Sequence, residues 1–361
     1  MSFRKSANEE NPLTRHIYAF MSGPYENVGD ALIRRRAIAW ARTLGEPHLL
    51  MGGAESATWD EALGLNQGDA IYRSRMTWLR SVLLNSGRKP VLLIEPGEFN
   101  TDKRFYKLLV VLFLVSIVVR ARGGAVVQMP RSMARQSRLG KLIYRGTLSK
   151  RGIVLWREKP SWDAFNRIGA IVPDIGFDDP DSLTPSSRTR AGLVISLRSD
   201  RPEPDLNLLD WLRDFASEHN LTITAVSQVA EDDSRTLFLA ERLGASKILW
   251  SSRTSNEQES VLRTLYDGTT LIWSDRLHVL VLGALHGAVP IEIVPAPNGK
   301  IPKHFDAVGI TGVSFDAAEV EDREHLTEIL ESQLAKRERV EASIAIARTA
   351  LANSRTRLPR E

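Results

Sequence analysis

Short apolar runs alternate with amphipathic helical segments along this chain, and the alternation occurs in two separate series. The first series begins with HIYAFM at 16–21 and the second with AGLVISLRSD at 191–200. A segment rich in Pro, Asp and Ser, VPDIGFDDPDSLTPSSRTR at 172–190, lies between them and has no periodicity. Strands that alternate with helices are typical of βαβ units in a mostly parallel sheet. We therefore predict an α/β protein that contains two Rossmann-like domains.

The two series also predict the domain boundaries. A chain of 361 residues is too long for one ordinary hydrophobic core and is long enough for two. The predicted regions are a flexible N-terminus at 1–15, a first domain at 16–175, a linker at 176–190, a second domain at 191–320, and a C-terminal helix with a basic tail at 321–361.

The C-terminal region carries an apolar stripe at helical spacing, which predicts one long amphipathic helix from about Asp322 to Leu351. The helix is expected to pack along one or both domains. The tail that follows it, SRTRLPRE, is basic. The stripe consists of Leu326, Ile329, Leu330, Leu334, Val340, Ile344, Ala347 and Leu351.

Composition excludes several classes of function. Cysteine is absent, which excludes disulfides, thiolate catalysis and zinc–thiolate sites and fits a reducing cytoplasm. The net charge is only +4, and no arginine run is interleaved with aromatic residues, so we expect no nucleic-acid partner. The first fifteen residues contain no apolar core and do not predict a signal peptide.

One segment, YKLLVVLFLVSIVVRARGG, raises the question of a membrane. Its uncharged part runs from Leu108 to Val119, whereas a spanning helix needs about 20 apolar residues. The pattern favours a buried helix between the layers of the first domain. The alternative is a surface that docks on a membrane or on a membrane-bound partner, at the inner face of the membrane.

No pattern in the sequence predicts a metal or a bound cofactor. The seven histidines do not have the spacing of a known ligand motif. Neither a Walker-type loop nor a Gly-x-Ser-x-Gly nucleophile turn is present.

Several stretches taken together resemble the polysaccharide pyruvyl transferase family. The most specific of them is SDRLHVLVLGALHGAVPI at 274–291. The chain departs from the family in EPGEF at 95–99, where the family often has a run of glycines, and in IEIVP, after which it often has an Asp. The other similar stretches are GPYENVGDALI, VVQMPRSM, LWREKPSWDAF, VPDIGF, GLVISLRSD and NGK.

The resemblance implies both an architecture and an activity. Its fold would be two Rossmann-like domains that face each other across a cleft, in a glycosyltransferase-B-like arrangement. Its activity would be transfer of pyruvate from phosphoenolpyruvate onto a sugar hydroxyl pair as a ketal, with phosphate released. The acceptor would be an exopolysaccharide, a cell-wall polymer or a lipid-linked repeat unit, held by the first domain. The second domain would hold phosphoenolpyruvate, a donor substrate, and no further cofactor is implied.

The resemblance places the donor site in the second domain. His278 is the candidate catalytic residue, because it follows a strand end and an unperturbed imidazole titrates near neutral pH. Arg198 ends another strand and is expected to hold a carboxylate or phosphate. Arg276 could hold phosphate or pair with Asp275, which is expected to shape the turn. Lys300 could add a positive charge near the phosphate, or it could be a solvated loop lysine.

The acceptor side would begin at the first helix. Asn27, Gly29 and Asp30 form a turn at a helix N-terminus, where free N–H groups suit an anion or a sugar. Alternatively, Asp30 only caps the helix and Gly29 only permits the turn. Glu95 and Glu98 end a strand at the same edge and could orient or deprotonate sugar hydroxyls.

Two other functions remain open from the sequence alone. A glycosyltransferase of the same two-domain class would use a nucleotide sugar in place of phosphoenolpyruvate. A non-catalytic component of a polysaccharide assembly complex would dock through the 108–119 segment and the C-terminal helix. The oligomeric state and the identity of the sugar are not predicted.

Overall fold

Two parallel sheets, each covered by helices, form the frame of the molecule. The computed structural model describes residues 15–23, 25–51, 57–148, 152–181 and 190–359. Nearly all of the predicted flexible N-terminus, most of the predicted linker and the last residues of the basic tail lie outside this part of the chain. Within it, the predicted α/β class with two Rossmann-like domains is confirmed.

The N-terminal sheet follows the order β3-β2-β1-β4-β6-β7-β8, and β5 pairs with the second half of β6. All of these pairings are parallel. The strands are β1 His16–Phe20, β2 Glu46–Leu50, β3 Ala70–Tyr72, β4 Val91–Ile94, β5 Gly97–Thr101, β6 Ala125–Gln136, β7 Ile153–Trp156 and β8 Ala170–Ile171. The helices are α1 Val28–Arg42, α2 Ala57–Ala62, α3 Arg75–Leu84, α4 Tyr106–Ala121, α5 Arg138–Thr147 and α6 Lys159–Ala164.

Alternate residues of the central strands face two different apolar clusters. Ile17 and Ala19 of β1 pack on the side of α1 and α2, in a cluster that extends into the second domain. Tyr18 points the other way, into a cluster with Trp78 of α3 and Leu109 of α4. Because both faces of the parallel sheet are covered, the inner strand Val91–Ile94 is apolar on both sides.

The C-terminal sheet has the order β11-β10-β9-β12-β13-β14, and it is also parallel throughout. Its strands are β9 Gly192–Ser196, β10 Thr222–Val226, β11 Ser246–Ile248, β12 Thr269–Ser274, β13 Val289–Val294 and β14 Ser314–Asp316. The helices are α7 Leu206–Glu218, α8 Asp233–Leu243, α9 Ser255–Asp267, α10 Leu277–Leu285, α11 Lys300–Asp306, α12 Arg323–Leu334 and α13 Arg337–Thr356.

Both sheets change direction of winding at their centre, between β1 and β4 and between β9 and β12. In open α/β sheets a ligand crevice forms outside the carboxyl ends of the strands at such a point. The turns that follow these four strands begin at Met21, Glu95, Leu197 and Asp275. These turns contain or adjoin most of the residues that the sequence predicts to be functional.

The two domains are joined by direct contacts between α1 and its surroundings in the second domain. The backbone N–H of Val28 donates to the carbonyl of Gln228 at 3.2 Å. The guanidinium of Arg35 forms two hydrogen bonds with the carboxylate of Glu259 on α9, at 3.0 and 2.5 Å. Helix α1 is therefore packed between its own sheet and the second domain.

The beginning of the predicted linker is part of the core. Residues Ile175–Asp178 form a 3₁₀ turn, and both Ile175 and Phe177 are fully buried. The ring of Phe177 packs edge-on against Phe305 of α11. The Pro- and Asp-rich composition predicted irregular backbone here, but it could not show that the apolar side chains within it are enclosed by α1, α10 and α13.

The C-terminal region is helical as predicted, but it forms two helices and not the single long one expected. Helix α12 ends at Leu334 and α13 begins at Arg337. Next to the break, the side-chain amide of Gln333 donates to the carbonyl of Gly312 at 2.6 Å. Helix α12 packs on α7 and β13, whereas α13 packs on α10 and the 3₁₀ turn. The two halves of the apolar stripe therefore pack against two different surfaces, and the break at 335–336 allows each helix to contact its own surface.

A buried histidine in the N-terminal sheet gives a stability prediction. Burial, and the neighbouring His16, lower the pKa of His48 from its ordinary value of 6.5 to about 4. As the pH falls from about 6.5 to about 4, His48 therefore becomes protonated in the unfolded chain but stays neutral in the folded chain. Over that interval we expect this residue to remove up to about 1.4 kcal/mol of unfolding free energy per pH unit.

Urea unfolding at about pH 7 and about pH 5 measures this effect. The His48→Gln variant should lose less stability between the two pH values than the wild type. The His325→Gln variant, on the surface of α12, is the control and should keep the wild-type slope. Equal slopes for all three proteins would contradict the assignment.

Candidate functional site

A cavity between the domains lies at the carboxyl ends of both sheets. Its volume is about 960 Å³ including the open mouth. It is within the size range of pockets that hold small ligands. The lining from the first domain includes Asn27, Asp30, Gly97, Glu98 and Arg157, and the lining from the second includes Arg198, Arg201, Gln228, Asp275, Arg276, His278, Glu292 and Lys300. All the predicted site residues except Gly29 and Glu95 are in the lining, and Gly29 contacts His278.

His278 is the second residue of α10 and lies where the two domains meet. Its side chain is 18% exposed, and Nε2 lies 3.7 Å from a carboxylate oxygen of Asp174. Nε2 is buried and makes no hydrogen bond within the part of the chain that the structure describes. The imidazole is therefore held between a buried acid and the cavity, a position from which it can exchange a proton with a ligand.

Gly29 is needed because α1 and α10 approach each other closely at their N-termini. A Cβ atom at position 29 would lie 2.5 Å from Cβ and 2.8 Å from Nδ1 of His278. Non-bonded carbon atoms need about 3.5–4.0 Å, so only glycine fits. The N-termini of both helices therefore converge beside the imidazole, and the positive ends of their dipoles favour an anion there.

Asp174 belongs to a buried ionic network behind His278. Its carboxylate accepts a 2.5 Å hydrogen bond from Arg157, whose guanidinium also bonds the hydroxyl of Ser132 at 2.9 Å. Burial alone would raise the pKa of the Asp174 carboxyl, but Arg157 and His278 hold that pKa well below its usual range. Asp174 therefore stays ionised and can stabilise a positive charge on the imidazole.

Arg276 has a partner that the sequence did not indicate. Its guanidinium pairs with Asp232, with Nη2 at 2.8 Å from one oxygen and Nε bonded to the other. The Asp232 side chain is fully buried and also accepts from the backbone N–H of Ser199 at 2.9 Å. Arg276 is thus tied to Asp232, neither paired with Asp275 nor free, although it still lines the cavity.

Asp275 links the two central strands of the second domain. Its carboxylate accepts a 2.9 Å hydrogen bond from the backbone N–H of Arg198, so the turns after β9 and β12 are joined. Burial, with a smaller contribution from Asp232, raises the pKa of Asp275, although the two adjacent arginines oppose this. Its own burial likewise raises the pKa of Glu292, which also lines the cavity.

Three cations surround the open side of the cavity. Arg198 holds the carboxylate of Asp200, at 2.8 and 2.7 Å, but that carboxylate is mostly exposed and can be exchanged for a ligand. Lys300 reaches across the cleft to Glu98, with 3.0 Å between Nζ and the carboxylate. Arg201 forms no ion pair with any residue that the structure describes. These three groups provide the positive charge that a small dianion needs.

The predicted acceptor residues form a hydrogen-bonded group at the start of α1. The side chain of Asn27 accepts from the backbone N–H of Asp30 at 3.1 Å and so caps the helix. Asp30 forms an ion pair with Arg34, whose Nε lies 3.7 Å from Glu95. Burial raises the pKa of Glu95 although Arg34 and Arg131 oppose this. Asn27 and Asp30 line the cavity, while Glu95 is set behind them.

Sequence reasoning missed several residues of this site, and three of them are Asp174, Asp232 and Arg201. Asp174 and Asp232 are separated in sequence from the basic residues that they hold, so no local pattern marks them. Arg201 follows the same strand as Arg198, three positions later. The position after a strand end was its only signal, and that signal is shared by many surface arginines.

Within the described residues, one group of side chains that could ligate a metal lies away from the cavity. His16, Glu46 and His48 bring nitrogen and oxygen atoms within 4.8 Å of one another at the amino ends of β1 and β2. The parallel register produces this group, because His16 pairs directly with Glu46. The rings of His16 and His48 pack with 4.4 Å between centroids. It lies at the opposite end of the sheet from the cavity and takes no part in the site.

Comparisons with known proteins agree with the fold and indicate a family. The family model described as polysaccharide pyruvyl transferase matches residues 27–291. No curated protein sequence matches the chain. None of the described helices has both the length and the apolar character that crossing a bilayer requires.

Solved structures resemble the chain in fold at low sequence identity. UDP-GlcNAc 2-epimerase from Neisseria meningitidis is 10% identical, with a TM-score of 0.57 over 91% of this chain and 94% of that one. The enzyme of that name from Methanocaldococcus jannaschii is 11% identical, with a TM-score of 0.53 over 89% and 94%. A putative one from Listeria monocytogenes is 9% identical, with a TM-score of 0.52 over 92% and 90%. The shared fold is the glycosyltransferase-B-like pair of domains.

Proposed function

Because this chain belongs to the polysaccharide pyruvyl transferase family, we propose that it moves pyruvate from phosphoenolpyruvate onto two hydroxyls of one saccharide as a ketal. The family membership makes it a transferase that acts on polysaccharide. The donor, the ketal linkage and the roles of individual residues are the proposal. A cytoplasmic location suits a chain without cysteine.

The proposed reaction protonates the donor, adds two sugar hydroxyls to it and releases phosphate. A proton is added to the methylene carbon of phosphoenolpyruvate, and the double-bond electrons form the new C–H bond. One sugar hydroxyl oxygen then bonds to the adjacent carbon and loses its proton. The bond from that carbon to the phosphate oxygen breaks, phosphate leaves with the electron pair, and the second hydroxyl adds and loses its proton. The two hydroxyl protons balance the new methyl hydrogen and the proton taken up by phosphate.

The observation that carries the proposal is the convergence of His278 and three cations on one cavity. Positive groups preorganised around a dianion stabilise the developing phosphate charge. The imidazole of His278, backed by the ionised Asp174, can carry the proton that the methylene carbon receives. Helix α10 adds the favourable field of its N-terminus at the same point.

The acceptor would occupy the outer part of the cleft. A second cavity continues from the first towards the end of β6 and shares Glu98, Arg198, Arg201 and Lys300 with it. Its other lining residues include Ser132, Arg135, Gln136 and Glu158. These side chains offer both hydrogen-bond donors and acceptors, which is the chemistry that sugar hydroxyls require.

Titration calorimetry with phosphoenolpyruvate tests the donor site. The Arg198→Met variant is expected to bind phosphoenolpyruvate about 10- to 100-fold more weakly, because a charge-assisted hydrogen bond contributes about 1.5–3 kcal/mol. Arg213→Met is the matched control, since Arg213 also pairs with an aspartate but lies on α7. Equal affinities for both variants would remove Arg198 from the donor site.

Phosphate release then tests the reaction itself. Wild-type protein with phosphoenolpyruvate and a panel of free and lipid-linked saccharides should release phosphate only when a suitable acceptor is present. The product should carry a ketal methyl signal by NMR. Binding of a nucleoside diphosphate without binding of phosphoenolpyruvate would replace this proposal with the nucleotide-sugar glycosyltransferase.

A further inference from the structure

The outer layer of the first domain exposes an unusual amount of apolar surface. Helices α3, α4 and α5 lie side by side over one face of the N-terminal sheet. Eight of the thirteen large exposed apolar side chains in the described part of the chain are on these three helices. They are Met76, Leu83, Leu84, Val110, Leu114, Ile117, Leu139 and Leu142. We call this surface the α3–α5 face.

The interior does not require these apolar side chains. Helix α4 buries Leu109, Leu112, Val115 and Val119 against the sheet, which is sufficient to hold it in place. The segment predicted to be a buried helix is therefore buried on one side only, and Leu114 on its other side is 54% exposed. Large exposed apolar patches mark a contact with a partner or a membrane.

The charge of the α3–α5 face has one sign. The sequence of α3, of α5, and of the segment 103–121 that contains α4, includes no Asp or Glu. Eight basic residues of these segments form no ion pair with a residue that the structure describes. They are Arg75, Arg80, Lys103, Arg104, Lys107, Arg138, Lys141 and Arg145. Leucines and isoleucines interleaved with unpaired basic groups are complementary to a surface that is anionic outside and apolar beneath.

The α3–α5 face adjoins the mouth of the cleft. Helix α5 begins at Arg138, two residues after β6 ends, and the last residues of β6 line the second cavity. The hydroxyl of Ser137 caps α5 and also donates to the carbonyl of Thr101, at the end of β5. A surface bound to the α3–α5 face would therefore lie next to the opening through which an acceptor enters.

We propose that the α3–α5 face docks on an anionic phospholipid bilayer. The exposed leucines, isoleucines, valine and methionine enter the boundary between headgroups and acyl chains, and the lysines and arginines bind the lipid phosphates. The protein lies on the membrane by this contact. The docking does not depend on the proposed transfer reaction, but it would bring the cleft to a lipid-linked acceptor.

Co-sedimentation with protein-free vesicles tests the docking. The full-length protein should bind vesicles of phosphatidylcholine with about 30% phosphatidylglycerol, and pure phosphatidylcholine vesicles much less. Raising the salt from about 0.1 M to about 0.5 M should weaken the binding. We expect Leu142→Glu to lower the vesicle partition coefficient about tenfold or more, because it loses a buried leucine and adds a negative charge.

Matched variants elsewhere on the molecule serve as controls. Ile346→Glu on α13 changes a side chain that is 67% exposed, against 68% for Leu142, and should leave vesicle binding unchanged. Arg138→Gln should lower the partition coefficient about fivefold, whereas the same change at the exposed Lys247 should not. Thermal unfolding checks that each variant is folded, and calorimetry should show unchanged phosphoenolpyruvate binding by Leu142→Glu.

Three results would overturn the docking. The first is equal binding to anionic and neutral vesicles, or no binding to either. The second is equal partition for Leu142→Glu and Ile346→Glu. The third is a dimer of the wild type that Leu142→Glu converts to a monomer while vesicle binding stays the same, which would assign the face to a second copy of this chain.

Discussion

The His278→Gln variant is expected to transfer pyruvate about 10²- to 10⁴-fold more slowly than the wild type, the range that general acid–base catalysis contributes. Glutamine keeps a similar length and a hydrogen-bonding end, but it cannot take up and release a proton near neutral pH. Phosphate release with a saturating acceptor measures the rate. The effect should fall mainly on kcat, because Arg198, Arg201 and Lys300 hold the donor in the proposed site.

Two measurements separate this effect from a loss of structure. Calorimetry should show that His278→Gln still binds phosphoenolpyruvate within a few-fold of the wild type, since a neutral amide leaves the three cations in place. His325→Gln on α12 should keep the full rate. A wild-type rate for His278→Gln would remove this histidine from the chemistry, whereas a lost affinity with an unchanged rate would make it a binding residue.

The Arg157→Met variant is expected to lose about 3–5 kcal/mol of unfolding free energy, because it leaves the Asp174 carboxylate buried without its partner. The two side chains are 2% and 1% exposed, with 2.5 Å between the bonded atoms. Solvent therefore cannot replace the missing guanidinium. Urea unfolding at neutral pH gives the value.

A double variant identifies the cause of that loss. Adding Asp174→Asn to Arg157→Met removes the unpaired charge and should restore part of the stability. Arg242→Met breaks the half-exposed pair with Asp210 on α7 and should have a small effect, since such pairs contribute little. An unchanged stability of Arg157→Met would show that the buried pair is not needed to hold the site.

The outline of the fold was accessible from the sequence because it depends on local patterns. Runs such as LVI at 193–195 and LIW at 271–273 are apolar on both faces, as is typical of strands inside a parallel sheet. The turns after them could be located to within a few residues. The C-terminal region was predicted as one helix instead of two, because periodicity shows which side of a helix is apolar but not which surface that side packs against.

The site was predicted in part, and the missing part has a common cause. His278, Arg198, Arg276 and Asp275 follow strands β9 and β12, so their positions at one sheet edge could be inferred. The acidic residues that pair with these side chains could not be inferred. Arg276 is held by Asp232, which is 44 residues away in the chain, and His278 faces Asp174 of the preceding domain.

The linear order of this chain thus determines two α/β domains, the strand ends that carry its polar groups and the helix starts beside them, since each depends on neighbours in sequence. The tertiary structure alone decides which charges are paired, which acid supports His278, and that the basic, apolar faces of α3, α4 and α5 form one surface. Those properties depend on distances between side chains that are remote in sequence, and the parallel crossovers and the packing of α1 against the second domain set these distances.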